Sequence, residues 1–176
     1  DLLDGGLAES ARGDTILVCG GVDVAQAASR PVLAWLRREA RRGTRIGALC
    51  TGAWLLAEAG LLDGRRCTIH WENQDGFAEK FPDAILIRTV FVEDGNLLTA
   101  AGGTAAIDLM LRQIARDHGD DLAGRVADQM IHTAIRSEDD HQRISTPSRI
   151  GARHPRLAQV VARMEANIED PISPEI

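Results

Sequence analysis

Cysteine is scarce in this chain, and what there is forms no pattern. Cys19, Cys50 and Cys67 are odd in number and contain no C-x-x-C pair. That argues against a disulfide framework or a thiolate zinc site and fits a reducing, cytoplasmic compartment. Long apolar runs are missing too: nothing approaches the roughly 20 residues of a membrane span, and no secretory leader is visible. No Walker motif is present. His118, His132, His141 and His154 lack metal-ligand spacing and are expected at the surface, so neither a metal nor a cofactor is expected. A net charge of −6 gives most of the surface no attraction for nucleic acid by itself. Lysine is nearly absent: of 20 basic residues only Lys80 is Lys, a compositional bias of the genome rather than a functional signal. Internal repeats and low-complexity tracts are absent. The first residue is Asp, not Met, so a preceding segment is expected.

What is there is organised around residues 45–60. A short apolar run, Ile46 to Leu49, meets Cys50-Thr51-Gly52 and then a wholly apolar helical stretch. This is the pattern of a buried strand turning sharply into a buried helix, with a polarisable side chain at the bend. Ala48 and Gly52 are small enough to let the backbone turn, as in a nucleophile elbow. A sulfur placed there faces free N–H groups at the helix start, which favours thiolate chemistry. A small buried structural Cys is the plain alternative.

Around this elbow the chain alternates strands and helices. Thr15 to Cys19 reads as a strand running into Gly20-Gly21. Pro31 opens a helix that carries arginines toward its end and stops at Gly43. Arg66 to Ile69 reads as a short strand ending at His70. Trp71 to Phe81 is expected to be helical until Pro82, and Ala84 to Arg88 is another strand. Asp94-Gly95 between two apolar runs signals a hairpin. After Gly102-Gly103-Thr104, a helix places Ile107, Met110, Leu111 and Ile114 at the spacing of one buried face. A further helix carries Leu122, Val126 and Met130. The alternation predicts an α/β fold, an open and mainly parallel sheet flanked by helices on both faces. The strand count is low for such a fold, so a first strand–helix unit is expected to lie outside this chain. Residues 1–135 read as one domain and 136–154 as a polar linker. Residues 155–176 hold an amphipathic helix (Leu157, Val160, Val161, Met164, Ile168), then Ser173-Pro174 at the start of another.

Cys50 and His70 fall at the C-terminal ends of strands taken as neighbours, with Gly20-Gly21 ending a third on the same edge. In open parallel sheets ligands bind there. The glycine N–H groups can face an oxyanion near Cys50, and His70 can take the thiol proton or orient a ligand. Glu72 reads as a solvated helix start or as a partner orienting His70, and Trp71 as packing or a pocket wall. Asp108 is expected to cap or bond a neighbouring loop.

Two sets of segments carry a family resemblance. Ile16-Leu-Val-Cys-Gly-Gly, Gly47-Ala-Leu-Cys-Thr-Gly-Ala-Trp, Thr68-Ile-His-Trp-Glu72 and Leu98-Thr-Ala-Ala-Gly-Gly resemble the PfpI-protease-like branch of the class I glutamine amidotransferase superfamily. His154-Pro-Arg-Leu through Met164-Glu-Ala-Asn-Ile to Ile172-Ser-Pro-Glu is similar to the start of an AraC-family helix-turn-helix domain. The combination resembles AraC-family transcriptional regulators with an amidotransferase-like sensor.

That resemblance implies a flavodoxin-like, class I glutamine amidotransferase-like sheet with a helical appendage. It implies that Cys50 is the elbow cysteine, His70 the histidine that follows it, and Gly20 and Gly21 the oxyanion-side glycines. The implied function is a ligand-sensing and dimerisation domain that binds a small, nitrogenous metabolite at a pocket of Cys50, His70, Gly20, Gly21, Thr51 and Trp71. The implied partners are that effector, a second copy of the chain, and DNA through a C-terminal domain of which only the start is present. The acidic residue that contacts the cysteine in enzymatic relatives has no counterpart here, so the domain is expected to be catalytically inactive. The alternatives are a cysteine-dependent amidase or hydratase with Cys50 as nucleophile and His70 as base, and a redox sensor acting through Cys50.

Overall fold

The computed structural model describes residues 13–142 and 155–165, with Leu7, Ala11 and Asn167. The chain divides into two compact units, residues 1–142 and 143–176. In chain order the first contains β1 (Thr15–Cys19), α1 (Arg30–Arg41), β2 (Arg45–Leu49), α2 (Ala53–Glu58), β3 (Arg66–Cys67), α3 (Gln74–Lys80) and β4 (Ile85–Leu86). Then follow β5 (Phe91–Asp94), β6 (Leu97–Ala100), α4 (Ala105–His118) and α5 (Asp120–Gln129). In the second unit α6 spans Pro155–Glu165, with Leu157, Val160 and Met164 exposed along it. The expected Ile168 contact and the Ser173-Pro174 helix start lie outside the described residues, as does any helix in the first few residues.

The main sheet has the order β1-β2-β6-β5. β1 and β6 both run parallel to β2, while β5 returns antiparallel to β6 through the expected hairpin at Asp94-Gly95. Gly95 takes φ +60°, which a side chain would resist. Successive residues of β6 serve opposite faces. Leu97 joins a core with Leu36, Ile46, Leu55, Leu56 and Phe77, whereas Leu98 and Ala100 join one with Phe91 and Leu109. Helices therefore cover both faces, because period-2 alternation makes each face apolar in turn.

β3 and β4 pair in parallel as a separate two-stranded sheet. Both are shorter than the sequence suggests, because side chains take over the backbone bonding beyond Cys67. The Thr68 N–H donates to Thr99 Oγ1 and the Ile69 carbonyl accepts from Gln142 Nε2. This also corrects two adjacencies. Cys50 on the β2 edge and His70 after β3 do not end neighbouring strands, and Cys19 and Cys67 lie in different sheets.

The α4–α5 pair departs from the expected burial. The buried face of α4 is Ala105, Asp108, Leu109, Leu111 and Gln113, while Met110 is 40% exposed. On α5, Ala123 and Ala127 are buried, and Leu122 and Met130 are exposed. The small alanines face inward, and the large side chains line a shallow apolar groove with Ile107, Ile114 and Val126. Among the described residues no helix is long and apolar enough to cross a membrane.

Candidate functional site

The turn after β2 is tighter than a simple strand-to-helix junction. Cys50 adopts φ +59°, a left-handed conformation unusual for a residue with a side chain, and opens a single 3-10 turn, Cys50–Gly52, that runs into α2. Such strain persists only where the surroundings fix it. Here three glycines do so. A Cβ on Gly52 would stand 2.2 Å from the Val18 carbonyl oxygen, one on Gly20 2.2 Å from the Gly52 nitrogen, and one on Gly102 2.7 Å from Cys50 Cβ and 3.0 Å from its sulfur. The β1 and β6 ends thus close on the elbow from both sides. Thr51 Oγ1 ties the turn to β1 by donating to the Gly21 carbonyl at 2.6 Å.

Cys50, Thr51, Gly20 and Gly21 therefore gather as the sequence suggests, but one role changes. The Gly20 N–H donates to the Leu49 carbonyl at 3.1 Å, continuing the sheet ladder, so it does not face an oxyanion. Gly20 is needed instead for close backbone approach. Cys67, by contrast, is buried outright, and desolvation pushes its thiol up to about 11, which keeps it an unreactive packing group.

His70 and Trp71 line a cavity of about 200 Å³ with Val90, Ala101, Gly102, Gly103 and Arg136, and Gln142 closes one side. Cys50 is not in its wall; Gly102 is the residue common to the elbow and the cavity. His70 Nδ1 accepts from the Glu72 N–H at 3.4 Å, and Glu72 Oε2 lies 3.7 Å from the same nitrogen. Glu72 thus does face the imidazole. With Nδ1 as acceptor, the ring proton sits on Nε2 as a donor. Trp71 is 41% exposed, a wall rather than core packing.

The cavity owes its other side to residues that the pattern of the sequence does not reveal. At the end of α5, Ile131 takes φ +55° and the His132 N–H reaches back to the Ala127 carbonyl, the left-handed cap usually given to glycine. That turn aims His132 at Asp108, Nε2 to Oδ1 at 2.8 Å. His132 is accordingly only 14% exposed in its side chain, not a surface residue, whereas His118 and His141 are exposed and His154 lies outside the described residues.

The fully buried Asp108 carboxylate also accepts from the Arg136 N–H at 2.9 Å and from Arg136 Nε at 2.8 Å, and Arg136 Nη2 reaches Thr104 Oγ1 at 2.7 Å. Burial pushes the Asp108 carboxyl up, but the Arg136 and His132 hydrogen bonds outweigh it and hold the group below its ordinary value. Residues 136–142, expected as the first part of a linker, are hydrogen-bonded to the first unit and form a strap along the cavity. Val90 donates to Asp140 O, and Gln142 Nε2 lies 2.9 Å from Thr68 Oγ1, Ile69 O and Thr89 O. Sequence offered one signal, Asp108 in an otherwise apolar helix face. Nothing in sequence named its partners.

Comparison with known proteins now places the chain. The DJ-1/PfpI family model matches residues 4–116. The chain belongs to the DJ-1/PfpI family. It is 43% identical over 159 residues to the HTH-type transcriptional regulator GbdR of Pseudomonas aeruginosa, covering 90% of this chain and 43% of that protein. To isonitrile hydratase of Pseudomonas putida it is 33% identical over 138 residues, covering 78% and 60%. Among solved structures it resembles an AraC family transcriptional regulator from Pseudomonas putida, with TM-score 0.60 and 35% identity over 66% of this chain and 63% of the other. The chain thus spans less than half the length of GbdR.

Proposed function

We propose that this DJ-1/PfpI domain is the ligand-sensing and dimerisation part of an AraC-family transcriptional regulator. A small, nitrogenous metabolite binds beside the elbow, within reach of His70, Trp71 and the Cys50 turn. Its unequal affinity for two arrangements of the domain then biases DNA-binding domains that follow residue 154. The observation that carries this reading is the extent of the likeness to GbdR. At 90% of the chain, it runs past residue 116, where the family model ends, and into α6. The strap supports a coupling route, since Arg136 and Gln142 both line the cavity and lead directly toward that segment.

The test is a thermal-shift screen of the chain against amino acids, amines and betaines, repeated with Cys50→Ala. A compound that raises the melting temperature, less so in the variant, and emerges chemically unchanged is the expected result. If Cys50→Ala leaves every ligand shift untouched, Cys50 has no part in sensing.

A second reading, a cysteine-dependent amidase or hydratase, draws support from the strained Cys50 turn and the likeness to isonitrile hydratase. Turnover of any compound in the same screen, lost with Cys50→Ala, would establish it in place of the sensor. Among the described residues the Cys50 thiol has no hydrogen-bond partner, acidic or otherwise, which favours the first reading.

A further inference from the structure

We infer that the 136–142 strap reads a small zwitterion, an amino-acid-like molecule, holding its carboxylate on the Arg136 guanidinium and its N–H donor on the Gln142 amide oxygen. The inference deepens the sensor reading of the same cavity and rests on it.

Arg136 is fixed from behind: Nε and Nη2 are engaged by Asp108 and Thr104, and Nη1 has no partner among the described residues. A guanidinium held in this way presents a planar donor edge to the cavity, the geometry that suits a carboxylate. Gln142 is fixed the other way round. Its Nε2 faces three acceptors, Thr68 Oγ1, Ile69 O and Thr89 O, so the amide cannot flip without placing oxygen against oxygen. The consequence is that Oε1 is buried without a partner. A buried acceptor left unpaired is costly, and a ligand that brings a donor removes that cost.

Charge narrows the class further. Asp108 offsets the Arg136 charge, so the wall is close to neutral overall and gains most from a ligand that is itself neutral overall but polar at both ends. A bare amine meets the guanidinium and is repelled. A bare carboxylate leaves Gln142 Oε1 unpaired. Trp71 and His70 bound the remaining space, which at about 200 Å³ suits a small molecule.

The experiment is differential scanning fluorimetry and calorimetry on the 176-residue chain with the twenty amino acids, their matched amines and their matched carboxylates. At least one amino acid is expected to bind while its amine and its carboxylate analogue do not. Gln142→Leu is expected to weaken that amino acid about tenfold, the loss of one buried hydrogen bond. The double variant Asp108→Asn/Arg136→Gln removes both charges together and so leaves no buried ion unpaired. It is expected to bind the amino acid no better than the amine, a change of selectivity that mere loosening would not produce. Amines or uncharged amides binding wild type as well as amino acids would overturn the inference without any variant being made. Amino-acid binding that is lost with Cys50→Ala but unchanged in both strap variants would overturn it and leave the sensor reading standing. No shift from any compound would overturn both.

Discussion

Two residues with side chains sit in the left-handed backbone region, Cys50 at the elbow and Ile131 at the end of α5. Their surroundings differ. Cys50 is gripped by backbone from both flanking strands, through Gly20, Gly52 and Gly102, and its side chain lies where those strand ends converge. Ile131 is 85% exposed and touches nothing that needs it; its turn serves the next residue, aiming His132 at Asp108. The same backbone strain thus marks a candidate reactive side chain in one place and a pointing device in the other. Strain locates a constrained turn, and only its surroundings say what the constraint is for.

The contrast is broken most severely at the elbow. Gly52→Ala drives a methyl to 2.2 Å from the Val18 oxygen, where backbone on both sides has no room to give. We expect a loss of about 3 kcal/mol or outright failure to fold, read by urea denaturation. A loss under about 1 kcal/mol would mean that the β1 end is not held against the elbow.

The strap should be second. Arg136→Leu leaves the Asp108 carboxylate with His132 and one backbone N–H, and because Arg136 is 30% exposed we expect about 2 kcal/mol rather than the larger cost of a fully buried pair. A pH titration sharpens this. The Asp108 carboxyl is held below its ordinary value, so its contribution is full above the unfolded carboxylate pKa of about 3.9 and fades as pH falls through the lower folded one. Asp108→Asn should remove that part of the acid sensitivity; identical acid unfolding of variant and wild type would show that the pair does not couple to folding.

The smallest effect compares the two left-handed residues directly. Ile131→Gly relieves strain and should stabilise the chain by up to about 1 kcal/mol, with ligand response unchanged. Cys50→Gly should relieve comparable strain but reduce the response. Equal responses in the two variants would remove the distinction between them.

How much of this was legible follows from the range of the interactions. The elbow is local: Ile46 to Gly60 encodes strand, bend and helix within 15 residues, and Gly20 and Gly52 are already conspicuous beside it. The hairpin at Gly95 and the α1 boundaries at Pro31 and Gly43 are equally local. The cavity is not. Gln142 bonds to Ile69 and Arg136 to Asp108 across 73 and 28 residues, between polar side chains that no periodicity links. The α4–α5 pair failed for a related reason, since two helices packed through Ala123 and Ala127 leave Met110 and Met130 outside, although apolar spacing alone puts them in the core.

By itself, then, the sequence determined the alternation of strands and helices, the turn at Cys50 and the resemblance to the DJ-1/PfpI family, because each is written in contiguous residues or in short motifs. Tertiary structure alone decided that β6, not β3, lies beside β2, so that Gly102 rather than His70 meets Cys50. It also decided that residues 136–142 fold back as a wall. Strand order and the pairing of buried polar groups are settled by which faces must be covered and which donors must be matched, and those conditions exist only once the whole chain is packed.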